Sequence, residues 1–309
     1  MDEIATVSGN TQSKPTVALA LGAGGAKGLA HIGAIEELEA QGFDIVAIAG
    51  SSMGALIGGI YAAGKLEVYR DWVVTLDKFD VLKLVDWTLS GGGLIKGEKL
   101  IGTLLDMVGD ALIEELPIAF TAVATDIDRE RELWLSRGSL FDAIRASIAI
   151  PTIFRPHHVK GRRLVDGGLL NPVPVTPLIR EPADYLVAVS VDGAPESSTP
   201  ENLDENERTP QRHGLLRRLL PLGGDRAADD KVTEPGMLEL LGRSMDLMQA
   251  NLARLRLSAY EPDVLIQLPR NVSTAYEFYR ARELIELGRE RTREVLDSWR
   301  QRHARLPRA

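Results

Sequence analysis

The chain has 309 residues, of which 44% are hydrophobic and 26% charged, so it is long enough to bury a substantial core. Its net charge of -8 argues against a general nucleic-acid-binding protein, and the absence of cysteine excludes disulfides, thiolate zinc sites and a cysteine nucleophile. The first residues show no cationic segment followed by an apolar run, and the longest apolar stretch, residues 53–64, is too short to span a bilayer. We therefore expect a cytoplasmic protein.

The first structural unit follows a polar N-terminal tail, residues 1–14, which we expect to be loosely ordered. Val17–Leu21 is a short apolar run typical of a buried strand, and a helical pattern runs from Leu29 to Gln41. A glycine loop joins this strand to this helix. The loop contributes six candidate site residues, which are Gly22, Gly24, Gly25, Ala26, Lys27 and Gly28.

Three interpretations of this glycine loop compete. A Walker A loop requires Ser or Thr after the lysine, but the chain has Gly28 there. A dinucleotide-binding fingerprint that begins at Gly22 and Gly24 requires a third glycine at the position of Lys27. An oxyanion hole requires several backbone N–H groups to converge on one oxygen atom, which successive glycines permit. The residues favour the oxyanion hole, with a purely structural turn as the alternative.

The second unit is another strand, turn and helix, and it carries the candidate nucleophile. The apolar run Ile45–Ala49 precedes a G-x-S-x-G turn, and a segment rich in alanine and glycine follows. A serine at the apex of such a turn is exposed at the top of a sheet, above the positive end of the next helix. Ser52 is therefore the candidate nucleophile, although short strings of this kind also arise by chance in glycine-rich chains. The other elbow residues are Gly50, Met53 and Gly54.

Asp166 is the next position that could carry chemistry. It follows an apolar pair and precedes Gly167 and Gly168, and its ordinary interpretation is a turn-forming aspartate that bonds to its own backbone. The surrounding pattern predicts strands at residues 118–125, 132–136, 185–191 and 264–268. It predicts helices at residues 98–108, 237–259 and 275–302, and a further helix that is capped by Ser139 and runs to about Ser147.

The composition changes between residues 193 and 234. This segment is rich in Pro, Glu, Asp, Asn and Arg, a composition typical of a disordered insertion. Within it, residues 215–220 form a short basic amphipathic run, which is either a turn of surface helix or a patch that touches a membrane. Apart from the insertion, residues 15–309 predict a single domain.

Together these motifs resemble the patatin-like phospholipase family, in particular its small bacterial members. The glycine loop, the turn around Ser52, residues 144–147 and the Asp-Gly-Gly at Asp166 occur in the family's order. The resemblance implies an α/β fold in three layers, with a mostly parallel central sheet flanked by helices. It also implies a Ser-Asp dyad, in which Ser52 is the nucleophile, Asp166 is the base and the glycine loop supplies the oxyanion donors.

The implied activity is hydrolysis of the fatty-acyl esters of phospholipids or lysophospholipids through an acyl-enzyme, with no metal or cofactor. The implied partners are a lipid ester and, at the periphery, the inner face of a membrane. The chain departs from the family pattern at Ala23, where glycine is common, and at Lys27, where arginine is usual. Two alternatives stay open: a Ser-His-Asp esterase that uses His157 or His158, and a non-catalytic regulator that binds lipid or protein on the same fold. The oligomeric state is not predicted.

Overall fold

The computed structural model describes residues 14–84, 93–95, 97–109, 111–196 and 237–304. The predicted tail, apart from its last residue, and nearly all of the predicted insertion, including residues 215–220, lie outside the described residues. The described strands are β1 (Thr16–Leu21), β2 (Asp44–Ser51), β3 (Gly93–Ile95), β4 (Ala119–Asp126), β5 (Arg131–Leu135), β6 (Thr152–Phe154), β7 (His157–Val159), β8 (Arg162–Asp166), β9 (Tyr185–Gly193) and β10 (Val264–Pro269). The described α-helices are α1 (Ala30–Ala40), α2 (Met53–Ala62), α3 (Leu66–Val73), α4 (Lys78–Lys83), α5 (Glu98–Val108), α6 (Leu140–Ser147), α7 (Met237–Ala259) and α8 (Ala281–Ala304).

Eight of these strands form one central sheet. Seven of them follow the order β10-β9-β1-β2-β4-β8-β7, and the eighth, β5, pairs with β4 outside this order. All neighbours from β10 to β4 are parallel, whereas β5, β7 and β8 join by antiparallel pairing. The remaining strands, β3 and β6, form a separate parallel pair. The sheet is therefore mostly parallel, as the resemblance implies.

The two faces of the sheet are covered by different layers of helices. In β1, Leu19 and Leu21 join a large core with side chains from α1, α2 and α8, whereas Ala18 and Ala20 join a smaller core with side chains from α7. This division follows from the alternation of side chains along a strand, and burial on both faces explains why every residue of β1 after Thr16 is apolar. The molecule is thus a three-layer α/β sandwich.

One edge of β4 is shared by two strands, and this arrangement shapes the site. Two residues of β4 pair with both β2 and β5, and the next three pair with both β5 and β8. Strands β2 and β8 must therefore lie end to end along the edge opposite β5. Ser51 pairs with Val123, and Asp166 pairs with the next residue, Ala124. The residue after Ser51 is consequently brought next to Asp166.

The last helix begins later than the sequence pattern predicts. Helix α8 starts at Ala281 rather than at residue 275, because residues 278–280 form a separate 3-10 turn. Ala275 instead meets the glycine loop, where its carbonyl oxygen accepts a hydrogen bond from the N–H of Ala26 at 3.0 Å. Helix α6 begins as predicted, with the hydroxyl of Ser139 capping the N–H of Asp142 at 3.2 Å.

Candidate active site

Ser52 occupies a strained position in the turn between β2 and α2. Its backbone has φ 54 and ψ -121, and a positive φ is uncommon for any residue other than glycine. The two glycines of the turn are required by space. A Cβ atom on Gly50 would lie 2.3 Å from the carbonyl oxygen of Gly54, and one on Gly54 would lie 2.1 Å from that of Leu21. The G-x-S-x-G pattern therefore reflects tight packing of α2 against β1 and β2.

The side chains of Ser52 and Asp166 are in direct contact. The hydroxyl of Ser52 donates a hydrogen bond to Oδ2 of Asp166 at 2.5 Å, and the N–H of Gly168 donates to Oδ1 of the same carboxylate at 2.7 Å. Asp166 therefore bonds to its own turn, as its ordinary interpretation predicts, and also holds the serine. Gly167 must be small, because a Cβ atom there would lie 2.1 Å from the carbonyl oxygen of Val123.

The environment of Asp166 makes its carboxylate a better base than an ordinary aspartate. The residue is 2% exposed, and burial raises the pKa of its carboxyl group from 3.8 to about 6. The hydrogen bonds from Ser52 and Gly168 oppose this rise because they stabilise the ionised form. No cationic side chain among the described residues forms an ion pair with Asp166.

The glycine loop offers fewer free N–H groups than its sequence suggests. The N–H of Gly22 donates to the carbonyl oxygen of Val189 in β9 at 2.9 Å, and the N–H of Ala26 is bonded as described above. Within the described part of the chain, the N–H groups of Gly24 and Gly25 donate to no backbone carbonyl. Gly25 also lines the same cavity as Ser52.

The other two residues of the loop fix its position. The ammonium group of Lys27 forms an ion pair with Asp192 at the end of β9, at 3.2 Å, and both side chains are almost fully buried. A Cβ atom on Gly28 would lie 2.4 Å from Cγ of Met53, so the loop packs directly against the elbow. Lys27 thus joins the loop to the central sheet.

An apolar cavity of about 190 Å³ opens beside Ser52. Its walls come from α3, α4 and α5, from the segment after α6, and from the residues that precede α8. The lining residues are Gly25, Ser52, Met53, Leu56, Tyr69, Trp72, Val73, Leu76, Val81, Leu84, Leu100, Ile148, Ile150, Ile153, Phe154, Ala275, Tyr276 and Phe278. Such a cavity suits a hydrocarbon chain far better than a polar substrate.

The described histidines do not contact the serine–aspartate pair. Nε2 of His31 lies 2.8 Å from the carbonyl oxygen of Gly22, and burial lowers the pKa of His31 to about 4, so its ring is neutral at pH 7. His157 bonds to the exposed carboxylate of Asp142 at 3.0 Å, and His158 is exposed to solvent. Neither of these two side chains bonds to the hydroxyl of Ser52.

Three buried hydroxyl groups surround the pair, and the sequence patterns gave none of them a role. Ser147 accepts a hydrogen bond from the N–H of Ser52, while Ser51 and Thr125 donate to backbone carbonyls nearby. Ser147 lies in the motif at residues 144–147, but that motif does not say what its hydroxyl bonds to, so only the three-dimensional arrangement identifies the contacts of the three hydroxyl groups. The bonds are Ser52 N to Ser147 Oγ (2.9 Å), Ser147 Oγ to Val123 O (2.6 Å), Ser51 Oγ to Asn171 O (2.6 Å) and Thr125 Oγ1 to Asp166 O (3.0 Å).

The described residues include neither a cluster of metal ligands nor a helix that could span a membrane. No group of three or more His, Cys, Asp or Glu side chains there could hold a metal ion. None of the described helices is both long enough and apolar enough to cross a membrane.

A hydroxyl bonded to a buried carboxylate, beside unpaired N–H groups and an apolar cavity, has the parts of a serine acyl hydrolase. Comparisons with known proteins identify the family of the chain within this class. The family model for patatin-like phospholipases matches residues 19–179. The chain therefore belongs to the patatin-like phospholipase family, a family of lipid hydrolases, as the sequence motifs indicated.

Two relatives and one solved structure are similar to this chain. An uncharacterized NTE family protein of Mycobacterium tuberculosis is 38% identical over 93% of this chain and 93% of its own length. The lysophospholipase nte1 of Emericella nidulans is 29% identical over 62% of this chain and 13% of its own length. Among solved structures, VipD from Legionella pneumophila matches with a TM-score of 0.44 and 15% identity, over 93% of this chain and 67% of VipD.

Proposed function

We propose that the protein is a serine acyl hydrolase that cleaves fatty-acyl esters of phospholipids or lysophospholipids through a Ser-Asp dyad. The observation that carries the proposal is the 2.5 Å hydrogen bond from Ser52 to the buried carboxylate of Asp166, next to an apolar cavity. The names of the relatives, phospholipase and lysophospholipase, support a lipid ester as the substrate.

In the first step, Oγ of Ser52 attacks the ester carbonyl carbon while its proton passes to Asp166. The negative charge that develops on the carbonyl oxygen is stabilised by the N–H groups of Gly24 and Gly25, each such donor typically contributing about 3 kcal/mol. The positive end of α2 adds to this stabilisation. The proton on Asp166 then passes to the departing alcohol, the ester bond breaks, and the acyl group remains on Ser52.

In the second step, Asp166 removes a proton from a water molecule, whose oxygen attacks the acyl carbon. The bond between the acyl carbon and Oγ of Ser52 then breaks, Asp166 returns the proton to Oγ, and the fatty acid is released. The raised proton affinity of Asp166 supports this role. An unperturbed aspartate is a weaker base than histidine by about 3.5 kcal/mol. A pKa of about 6 for Asp166 reduces that difference to about 0.7 kcal/mol.

The substrate would enter from a bilayer by way of α4. Val81 of this helix and Leu84, the residue that follows it, line the cavity, while Phe79 and Leu82 of the helix are 74% and 57% exposed. These exposed side chains are suited to insertion between lipids at the entrance to the cavity. We expect Phe79→Ser to weaken co-sedimentation with phosphatidylcholine vesicles while turnover of a dissolved short-chain ester is unchanged.

Covalent labelling tests the nucleophile. An organophosphonate that reacts with active-site serines should label the protein, and Ser52→Ala should abolish the labelling. Ser51→Ala is the matched control because it removes the neighbouring hydroxyl, which bonds to a backbone carbonyl instead of to Asp166. Labelling that survives in Ser52→Ala would refute the assignment.

The triad alternative needs a sharper test than a pH profile. With the pKa of Asp166 near 6, an aspartate base and a histidine base both lose activity in the same range of pH. Replacing both candidate histidines, as His157→Gln with His158→Gln, separates the two mechanisms. The dyad requires that this double variant keep its turnover, and a triad requires that it lose it.

A measurement of ester hydrolysis distinguishes a non-catalytic regulator from a dyad enzyme. A non-catalytic protein would not hydrolyse a nitrophenyl ester, whereas a dyad enzyme should hydrolyse it and lose the activity in Asp166→Asn. A panel of phospholipids and lysophospholipids, with the released fatty acid and lysolipid identified, would then define the head group and the acyl position.

A further inference from the structure

The backbone N–H of Ser52 lacks the partner that a sheet would normally supply. Strand β2 ends at Ser51, and the adjoining edge of β4 passes from β2 to β8 at this point. Ser52 also has a positive φ, which turns its N–H and C=O groups away from the hydrogen-bond ladder of a regular strand. A buried N–H left without an acceptor costs about 1–3 kcal/mol. Something outside the two strands must therefore hold this group.

The hydroxyl of Ser147, the last residue of α6, fills this gap. Its Oγ accepts from the N–H of Ser52 at 2.9 Å and donates to the carbonyl oxygen of Val123 at 2.6 Å. Val123 is the residue of β4 that pairs with Ser51, so the hydroxyl bridges β4 and the turn where the β2 ladder stops. Ser147 has no exposed surface. Because its hydroxyl proton is donated to the carbonyl oxygen of Val123, a lone pair of its Oγ is available to accept the N–H of Ser52.

We propose that Ser147 is a positioning residue that sets the backbone of Ser52 so that its hydroxyl reaches Asp166. This inference rests on the proposed function and deepens it, because it assigns a role to a side chain that does not touch the substrate. Helix α6 supports the role because all of its residues except Asp142 are buried, which fixes Ser147 relative to the sheet.

Removal of the hydroxyl should have a consequence that loss of stability alone would not produce. The hydrogen bond from Ser52 lowers the pKa of Asp166 and so opposes the effect of burial. If the turn shifts in Ser147→Ala, this bond lengthens and the pKa of Asp166 rises. The acid limb of the kcat/KM profile should therefore move to higher pH.

The test compares three variants by steady-state hydrolysis of a nitrophenyl ester, with active sites counted by complete organophosphonate labelling. Ser147→Ala should lower kcat by about 10- to 100-fold with little change in KM, because small displacements of a nucleophile have effects of this size. Ser147→Cys keeps a weak donor and acceptor of similar size and should give an intermediate kcat. Ser139→Ala, at the other end of α6, removes a helix cap and should lower the melting temperature without changing kcat or the acid limb.

Two outcomes would overturn the inference. One is that Ser147→Ala keeps the kcat and the acid limb of the wild-type enzyme. The other is that Ser139→Ala, matched for loss of stability, lowers kcat as much as Ser147→Ala does. Either result leaves the dyad itself intact, whereas persistent labelling of Ser52→Ala would refute the proposed function and not only the role of Ser147.

Discussion

Replacing Asp166 by asparagine should make the protein more stable at neutral pH while it abolishes turnover. The carboxylate is buried, it has no cationic partner among the described residues, and its two oxygens accept hydrogen bonds from Ser52 and Gly168. Asparagine can keep both contacts, with its oxygen accepting from Gly168 and its amide group donating to Ser52, but it carries no charge.

The size of the effect follows from the pKa of Asp166. Because this pKa is raised in the folded state from 3.8 to about 6, the folded protein binds a proton between these pH values that the unfolded chain has released. The free energy of unfolding therefore falls as pH rises through this window. At about 1.4 kcal/mol for each pKa unit, the ionised carboxylate costs about 3 kcal/mol above pH 7 and nothing below pH 4.

Equilibrium unfolding in urea, followed by circular dichroism between pH 4.5 and 8, measures this effect. The free energy of unfolding of Asp166→Asn minus that of the wild type should increase with pH and approach its limit above pH 7. This difference cancels the titration of every other group that the substitution leaves undisturbed. Asp106→Asn is the control for removing a carboxylate charge, since Asp106 is an exposed side chain of α5.

A flat difference for Asp166→Asn would show that the carboxylate is not destabilised by burial, and a difference that falls with pH would show that it stabilises the fold as an ion. Either result would remove the argument that Asp166 has gained proton affinity, and with it the physical basis for using an aspartate as the base.

Three further predictions test other parts of the site. The acid limb of kcat/KM should lie near pH 6, with activity lost as pH falls and Asp166 is protonated, and it should move little with temperature, because ionisation of a carboxyl group absorbs little heat compared with ionisation of imidazolium. Gly54→Ala should abolish turnover and lower the free energy of unfolding by more than about 3 kcal/mol in urea titrations, since its Cβ would overlap a carbonyl oxygen of β1. The control is Gly102→Ala, in open space on α5, which should raise the free energy of unfolding by about 0.5–1 kcal/mol. Lys27→Met should lower the free energy of unfolding in urea titrations by about 3–5 kcal/mol, because it leaves Asp192 buried without its cation. Adding Asp192→Leu to this variant should recover most of the lost free energy.

Much of the fold was predictable because its signals are local. The strand and helix around the glycine loop, and those around the elbow, are apolar runs separated by glycines, and the structure places them close to the predicted boundaries. The predicted start of the last helix was wrong because the helical periodicity of the sequence extends back into residues 275–280. There the tertiary contact with the glycine loop sets the conformation instead.

The glycine loop shows a second limit of sequence reasoning. Its composition indicates that several N–H groups can converge on one oxygen, but composition does not say which of them are already bonded. Gly22 and Ala26 donate to carbonyl oxygens from β9 and from the segment before α8, both distant in the sequence. Only the assembled sheet distinguishes them from Gly24 and Gly25.

The closeness of Ser52 and Asp166, which are 114 residues apart, follows from the way the strands share an edge. An antiparallel β8 takes over the edge of β4 where the parallel β2 leaves it, and no local pattern announces that exchange. The same arrangement explains how two side chains would suffice in the proposed mechanism. In a triad a third residue orients the base, but here the N–H of Gly168 holds one carboxylate oxygen and the strand fixes the backbone, so the other oxygen already faces the serine.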